Sequence, residues 1–292
     1  MHGILLTARP ELEVNRRLAD AGRALGLELH VVDGTLCVGG VEAGGVKIVG
    51  ATGEPPGVYL GRIGNWRPES MLAVAECLEA SGWRTPNPTE AVRVGRDHWR
   101  TCLRLAGLGL PVARTVAGSE SDVLAAVATE RLGFPVVVKQ RRSRMGVGVI
   151  RCETRDHLEA VLDSLWRLGD EVVVQEWIES DRESHRLLVV DGETAAAARF
   201  DARAGEWRSN AARGGLASAL DPSPEEERLA QRAAAAVGLG VCGVDLLPGP
   251  DGPVVAEVNP SPGFRHLEAA TGRDVAGAIA CCLVRLARME DR

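Results

Sequence analysis

The sequence predicts a mixed α/β and α+β protein of three lobes, on three observations. Apolar runs of strand length alternate with amphipathic runs of helical period as far as about residue 90. Beyond that point short strands come in pairs around strong turn signals, with single helices between them. The chain has 292 residues, too many for one small core. The expected lobes are 1–90, 91–174 and 175–292.

In the first lobe Gly3–Thr7 reads as a buried strand. A helix follows, with Val14, Leu18, Ala21 and Leu25 on one face. Leu27–Val32 is a second strand, the Gly-rich residues 35–50 a hairpin or loop, and Val58–Gly61 a third strand. The next helix starts near Pro68, since proline suits a first helical turn. Residues 88–107 read as one helix ending before Pro111. The second lobe is expected to hold strands 112–117, 135–140, 147–152 and 171–177, with helices 120–132 and 155–168. In the third, strands near 185–191 and 194–199 meet at Asp191-Gly192, a hairpin pair. Helix 222–237 is expected to be capped by Asp221 with Pro222 at its first position. Strands 241–247 and 253–258 flank a Pro-Gly-Pro-Asp-Gly turn, and a last helix spans about 274–289.

The formal net charge of -6 and an aromatic content of 3% argue against a nucleic-acid binder. No run of about 18 apolar residues exists to span a membrane, and the N-terminus lacks the regions of a signal peptide. Seven cysteines without a C-x-x-C pair are expected to be buried, reduced thiols of a cytoplasmic protein.

Four clusters carry chemistry. Val136-Val137-Val138-Lys139 is a strand ending in a lysine, followed by a basic loop with Gly146 and Gly148. Such a loop lets backbone N–H groups approach phosphate, and a water-exposed hairpin tip explains it about as well. Gln175-Glu176-Trp177-Ile178 ends an apolar strand, where a carboxylate and backbone groups suit an adenine edge and a ribose. Trp207-Arg208-Ser209-Asn210-Ala211-Ala212-Arg213-Gly214-Gly215 offers two guanidinium groups that can hold phosphate or carboxylate oxygens. The strongest cluster is Gly243-Val244-Asp245 with Ala256-Glu257-Val258-Asn259-Pro260-Ser261-Pro262-Gly263. Glu257 and Asn259 share a strand face, and the turn brings Asp245 close. Three oxygen donors in an otherwise apolar hairpin suit Mg²⁺.

The order of these clusters resembles the ATP-grasp fold, specifically its RimK-like branch of amino-acid ligases, which includes LysX-type enzymes. A V-V-K strand with a Gly-rich loop, a Q-E-[YF]-I segment, R-[ST]-N-x-x-R-G-G, G-V-D and E-V-N-x-S-P-G follow one another in that branch, and all five occur here. Arg62-Ile63-Gly64, Asp97 and the 269–276 segment extend the resemblance over most of the chain. It implies an N-terminal α/β lobe and two lobes clamping ATP. Lys139 would meet the phosphates, Gly146 and Gly148 would form a lid, and Gln175 to Ile178 would hold adenine. Asp245, Glu257 and Asn259 would bind Mg²⁺ or Mn²⁺. Arg208, Asn210 and Arg213 would lie against the transferred phosphate. Arg62, Arg186, Ser261, Gly263 and Arg265 would face the substrates. An amino acid such as glutamate would be joined to a peptide, protein or metabolite, and the enzyme would be a homo-oligomer.

Two positions depart from that pattern. His98 stands where a lysine usually reaches the nucleotide, so either His98 serves or Arg141–Arg144 supply the charge. Ser184 stands where a carboxylate is usual, with Glu183 as its substitute. These departures motivate one rival, an ATP-binding regulatory protein without catalysis. A phosphotransferase that stops at the phosphorylated product is another.

Overall fold

The computed structural model describes residues 1–51, 53–142, 148–169, 171–209 and 215–289. The chain begins with β1 (His2–Thr7), α1 (Glu13–Ala24), β2 (Glu28–Asp33), β3 (Val38–Glu42), β4 (Gly45–Val49), β5 (Val58–Arg62) and α2 (Pro68–Ala80). β1 is the middle of a parallel sheet ordered β2-β1-β5, with Leu5 opposite Val31 and Leu60. Ile4, Leu5 and Leu6 are all fully buried, because a central parallel strand is covered on both faces. The Gly-rich stretch forms the separate β3-β4 hairpin, which packs on α2.

The expected single helix over 88–107 is instead two, α3 (Thr89–Gly95) and α4 (His98–Ala106). Asp97 breaks it. Its backbone is extended and its carboxylate accepts the N–H of Arg100 at 3.1 Å, so it caps α4 rather than continuing α3.

The middle of the chain holds β6 (Thr115–Val116), α5 (Ser121–Leu132), β7 (Val136–Gln140), β8 (Val149–Cys152), α6 (Arg155–Arg167) and β9 (Val172–Glu176). The antiparallel order is β6-β9-β7-β8. The strand expected over 112–117 shrinks to two residues, since Pro111 and Val112 turn away to pair with Val255.

The remainder comprises β10 (Glu183–Val190), β11 (Glu193–Asp201), β12 (Leu216–Ala219), α7 (Pro224–Val237), β13 (Val241–Gly249), β14 (Gly252–Asn259), α8 (Arg265–Thr271) and α9 (Val275–Arg288). Its sheet runs β12-β11-β10-β13-β14. Asp191 and Gly192 both have positive φ, as a two-residue hairpin turn requires. The α7 cap is Ser223, not Asp221. Ser223 and Glu226 form a reciprocal capping box, and Pro224 takes the first position. Sequence periodicity missed both α8 and β12, each too short to show a period.

Packing divides the molecule differently from the strand count. Ile4, Leu6 and Leu72 of the first lobe share one core with Leu187, Leu229 and Val258 of the last. Leu5, Leu18 and Leu60 share another with Leu188, Ile279 and Leu283. The central lobe keeps its own core of Leu124, Ala125, Ala128, Val136, Val138, Cys152, Leu158, Leu162 and Val174. Among the described residues no helix is long and apolar enough to cross a membrane.

Candidate active site

A cavity lined by both charged and apolar side chains lies where the central sheet meets the β10–β14 sheet. Its lining includes His98, Lys139, Gln175, Glu176, Trp177, Ile178, Ser184, Arg208, Asp245 and Glu257. These ten residues, all singled out from sequence, thus meet in one place.

Lys139 closes the buried run Val136–Val138 on β7, between Val149 and Val173 of the flanking strands. Burial pushes its ammonium below the usual lysine range, against the pull of Glu257 and Asp245. A desolvated cation of this kind interacts strongly with phosphate. Gly148 immediately precedes β8 at φ 67°, a conformation that favours glycine, and its carbonyl accepts the Gln140 N–H at 3.1 Å. Gly146 lies outside the described residues, as do Asn210 and Arg213.

All four residues of the Gln175–Ile178 segment line the cavity, and two of their side chains have partners the sequence did not reveal. The Glu176 carboxylate, read from sequence as a ribose ligand, is held by Arg114: the Arg114 N–H donates at 2.7 Å and its Nε at 2.5 Å. Gln175 is spent similarly, its amide donating to Thr115 Oγ1 at 2.9 Å and Cys102 Sγ at 3.3 Å. Neither Arg114 nor the Thr115–Cys102 pair stood out in the sequence, because each becomes a partner only through β6-β9 pairing. These bonds fix the strand end, and Glu176 still lines the cavity with acceptor sites to spare. Trp177 meets Trp207 edge to face at 5.3 Å, and the Arg151 guanidinium lies 4.1 Å from the Trp177 ring centroid.

On the opposite wall, pairing sets Arg186, Asp245 and Glu257 abreast on β10, β13 and β14. A bulge between Asp245 and Leu246 interrupts the ladder there. Asn259 lies two residues beyond Glu257, opposite Gly243. Arg186 was expected to face substrate. Instead its Nε and Nη2 donate to both Asp245 oxygens at 2.6 and 2.5 Å. Burial works against the Arg186 charge, yet the Asp245 carboxylate raises it above the ordinary arginine range. Asp245 keeps lone pairs for a cation, because a carboxylate has about four acceptor sites. Among the described residues no three His, Cys, Asp or Glu side chains group to hold a metal, and Asn259, the third donor expected from sequence, does not line the cavity with Asp245 and Glu257. Two carboxylates and an amide oxygen fit Mg²⁺, which keeps further positions for phosphate oxygens and water. Asn259 Oδ1 also accepts the Ser261 N–H at 2.9 Å, which orients it.

Arg208 bridges the two walls. Its Nη1 donates to the Val149 carbonyl at 3.2 Å, while Nε and Nη2 hold Glu206 at 3.0 and 2.9 Å. Ser184 Oγ lies 2.6 Å from Ser209 Oγ. The carboxylate of Glu183, its neighbour in the cavity, is held by His185 at 3.1 Å and Arg199 at 2.7 Å. Arg141 does not supply the charge missing at position 98. It is bound to the buried Asp97, at 2.7 and 3.2 Å, and to Glu171. Arg142 lies 3.8 Å from Glu69 and 3.9 Å from Asp97, and Arg144 falls outside the described residues. His98 itself lines the cavity, with its N–H on the Arg141 carbonyl.

Of the remaining residues, Arg62 donates to the Pro262 carbonyl at 3.2 Å and covers the Phe264 ring. There is open space where a Cβ on Gly263 would lie. Arg265 is exposed and pairs with Glu13 at 3.2 Å, joining α8 to α1 instead of entering the cavity.

Comparison with known proteins agrees with this geometry. Residues 95–283 match the RimK-like ATP-grasp domain. The chain belongs to the RimK-like ATP-grasp family. It is 38% identical over 280 residues to the "Probable alpha-L-glutamate ligase" of Alcanivorax borkumensis, covering 94% of this chain and 92% of that one. A protein of Shewanella amazonensis named "Probable alpha-L-glutamate ligase 1" is 35% identical, covering 99% and 97%. D-cycloserine synthetase DcsG shares the fold at a TM-score of 0.76 and 24% identity, covering 99% of this chain and 100% of that one. The ATP-grasp ligase PsnB, solved with a minimal precursor, gives 0.75 and 23%, covering 97% and 98%. As a RimK-like ATP-grasp protein the chain is an ATP-dependent carboxylate–amine ligase.

Proposed function

We propose that this ATP-grasp ligase activates a carboxylate as an acyl phosphate and joins it to the amine of an amino acid, glutamate being the first candidate. The observation that carries this reading is the single cavity that places Lys139, Arg208, Asp245 and Glu257 around one space. Trp177 and Ile178 hold the adenine end of ATP, and Lys139 binds its phosphates. Asp245, Glu257 and Asn259 would hold Mg²⁺, which would neutralise charge on the phosphate oxygens. Arg208 offers a guanidinium to the charge that develops as the carboxylate attacks the γ-phosphate in line. The acyl phosphate reacts with water, so water must be kept from it until the amine attacks. The amine then attacks the acyl carbon and phosphate leaves. No protein nucleophile is required, because ATP activates the acid. Glutamate is the candidate because relatives carry that name and Arg62 stands beside the Pro262–Phe264 loop. The lobes 1–90, 91–174 and 175–292 act as platform, nucleotide clamp and metal wall, in a cytoplasmic homo-oligomer.

The test is phosphate release from Mg·ATP with the twenty amino acids and short acidic peptides, singly and in pairs. Release should depend on one amino acid or pair and vanish in Glu257→Gln. A phosphorylated product that accumulates without amide would point to a phosphotransferase. Nucleotide binding without release in any mixture would contradict catalysis.

A further inference from the structure

The acidic strand pair is held from outside by a residue with no part in the cavity. Asn87 lies in Pro86-Asn87-Pro88, between α2 and α3, and is only 2% exposed. Its Nδ2 donates to the carbonyls of Val241 at 2.7 Å and Pro260 at 3.1 Å, and its Oδ1 accepts the Val241 N–H at 2.9 Å. One buried amide thus ties the first residue of β13 to the residue that follows Asn259.

The same joint is closed by two glycines. The Gly240 N–H donates to the Pro86 carbonyl at 2.8 Å, and a Cβ on Gly240 would lie only 2.8 Å from that oxygen. A Cβ on Gly95 would come within 3.1 Å of the Val258 carbonyl and 3.3 Å of Pro260 Cδ. The tie matters because the ladder is interrupted beside the carboxylates. The bulge after Asp245 separates the four pairs that lead to the 249–252 turn from the three pairs Gly243–Asn259, Val244–Val258 and Asp245–Glu257, so the tie at Val241 and Pro260 anchors the three-pair segment at its far end. Asp245 and Glu257 sit at that break.

We propose that Asn87 is a positioning residue for the metal site: it fixes the spacing between the strand of Asp245 and the strand of Glu257 and Asn259, and so sets the affinity for Mg²⁺. Mg²⁺ demands near-ideal octahedral geometry, so a small splay of the two strands weakens it. Residues that orient metal ligands typically account for about 10- to 100-fold in metal affinity. This inference rests on the reading of Asp245, Glu257 and Asn259 as metal ligands.

The test uses the full chain. Mg²⁺ is titrated at saturating ADP, followed by the fluorescence of Trp177 and Trp207, with ADP binding in EDTA measured alongside. Asn87→Asp keeps the acceptor for Val241 but sets a carboxylate against two carbonyls, and Asn87→Ala removes all three bonds. Both should raise the Mg²⁺ midpoint by about 10- to 100-fold, leaving ADP binding in EDTA unchanged. Gly95→Ala, which keeps Asn87 but presses on Pro260, should raise it less. Folded Asn87 variants with the wild-type midpoint would overturn the proposal, as would an equal weakening of ADP binding in EDTA. Should the Asn87 variants not fold, an unchanged midpoint in Gly95→Ala overturns it and a raised one supports it. A wild-type protein whose ADP binding ignores Mg²⁺ would instead overturn the metal site itself.

Discussion

The central lobe and the rest of the molecule solve the same packing problem in opposite ways. The first and last lobes bury their side chains against each other, so that Leu72 and Val258 belong to one core. The central lobe closes its core on itself, around Leu158, Val138 and Val174. Helices α3 and α4 belong to the body, giving it Val92, Val94 and Leu105, and among the described residues the links from the β6–β9 sheet to it include Arg141 on Asp97, Arg208 on the Val149 carbonyl, the Trp177–Trp207 ring contact and the Val112–Val255 bridge. The lesson is that the carboxylate wall stands on a core shared by the first and last lobes, while Lys139 stands on a unit with a core of its own. A cleft that must admit two substrates and then exclude water needs that division.

The largest effect expected from this comparison concerns stability. Leu158→Ala should cost about 2–5 kcal/mol, as large-to-small changes in a core do. Hydrogen exchange should confine the loss to the central lobe, leaving β1 and β13 protected. Leu72→Ala should cost a similar amount but lower protection in the first and last lobes together. Equal loss everywhere from Leu158→Ala would break the comparison.

Next comes the metal. Asp245 and Glu257 face Lys139 and Arg186, so two negative and two positive charges already balance at the seam. Mg²⁺ alone gains little there, and the nucleotide phosphates supply the missing negative charge. Calorimetry should therefore show Mg²⁺ binding at least about tenfold tighter with ADP than without, a coupling of about 1.4 kcal/mol. By reciprocity ADP binds tighter with Mg²⁺ by the same factor.

A smaller effect belongs to the Arg208 bridge. The Arg208 guanidinium pushes the Glu206 carboxyl down to about 2 from 4.5. A depressed carboxyl stabilises the folded state above its unfolded value, and that contribution is lost as pH falls from 4.5 toward about 2. Both side chains are about one-fifth exposed, so the pair is worth about 1 kcal/mol. Glu206→Gln should lower the midpoint of thermal unfolding by about 2–4 °C at neutral pH and flatten the acid limb of the stability profile.

The smallest effect is chemical. Burial pushes the Cys242 thiol up to about 12 and those of Cys152 and Cys282 up to about 11. Cys281 alone of the seven cysteines is exposed, which corrects the expectation that all are buried. One thiol should react rapidly with a disulfide reagent in the native protein, and six only on unfolding.

What was legible in the sequence follows from the range of the interaction. Strand periods, the Asp191-Gly192 turn and the acidic hairpin are local, and they led to the cavity. The Asp97 break, the Ser223 capping box and helix α8 are local too, but rest on one or two residues inside a longer pattern. Asp97 followed by Arg100 looks like any polar stretch until its backbone is seen to be extended. The partners of Glu176, Arg186 and Asn87 were not legible. Arg114 lies 62 residues from Glu176, Asp245 59 residues from Arg186, and Val241 154 residues from Asn87. Only the tertiary fold brings those pairs together, and no local pattern encodes it.

The central claim is that the carboxylate is phosphorylated before the amide forms, and isotope transfer tests it most directly. The acid substrate identified by the release screen is labelled with ¹⁸O in its carboxylate and turned over with Mg·ATP and the amine. One labelled oxygen should appear in the released phosphate for each amide formed, and Glu257→Gln should abolish both. Amide formed with unlabelled phosphate would contradict the acyl-phosphate route.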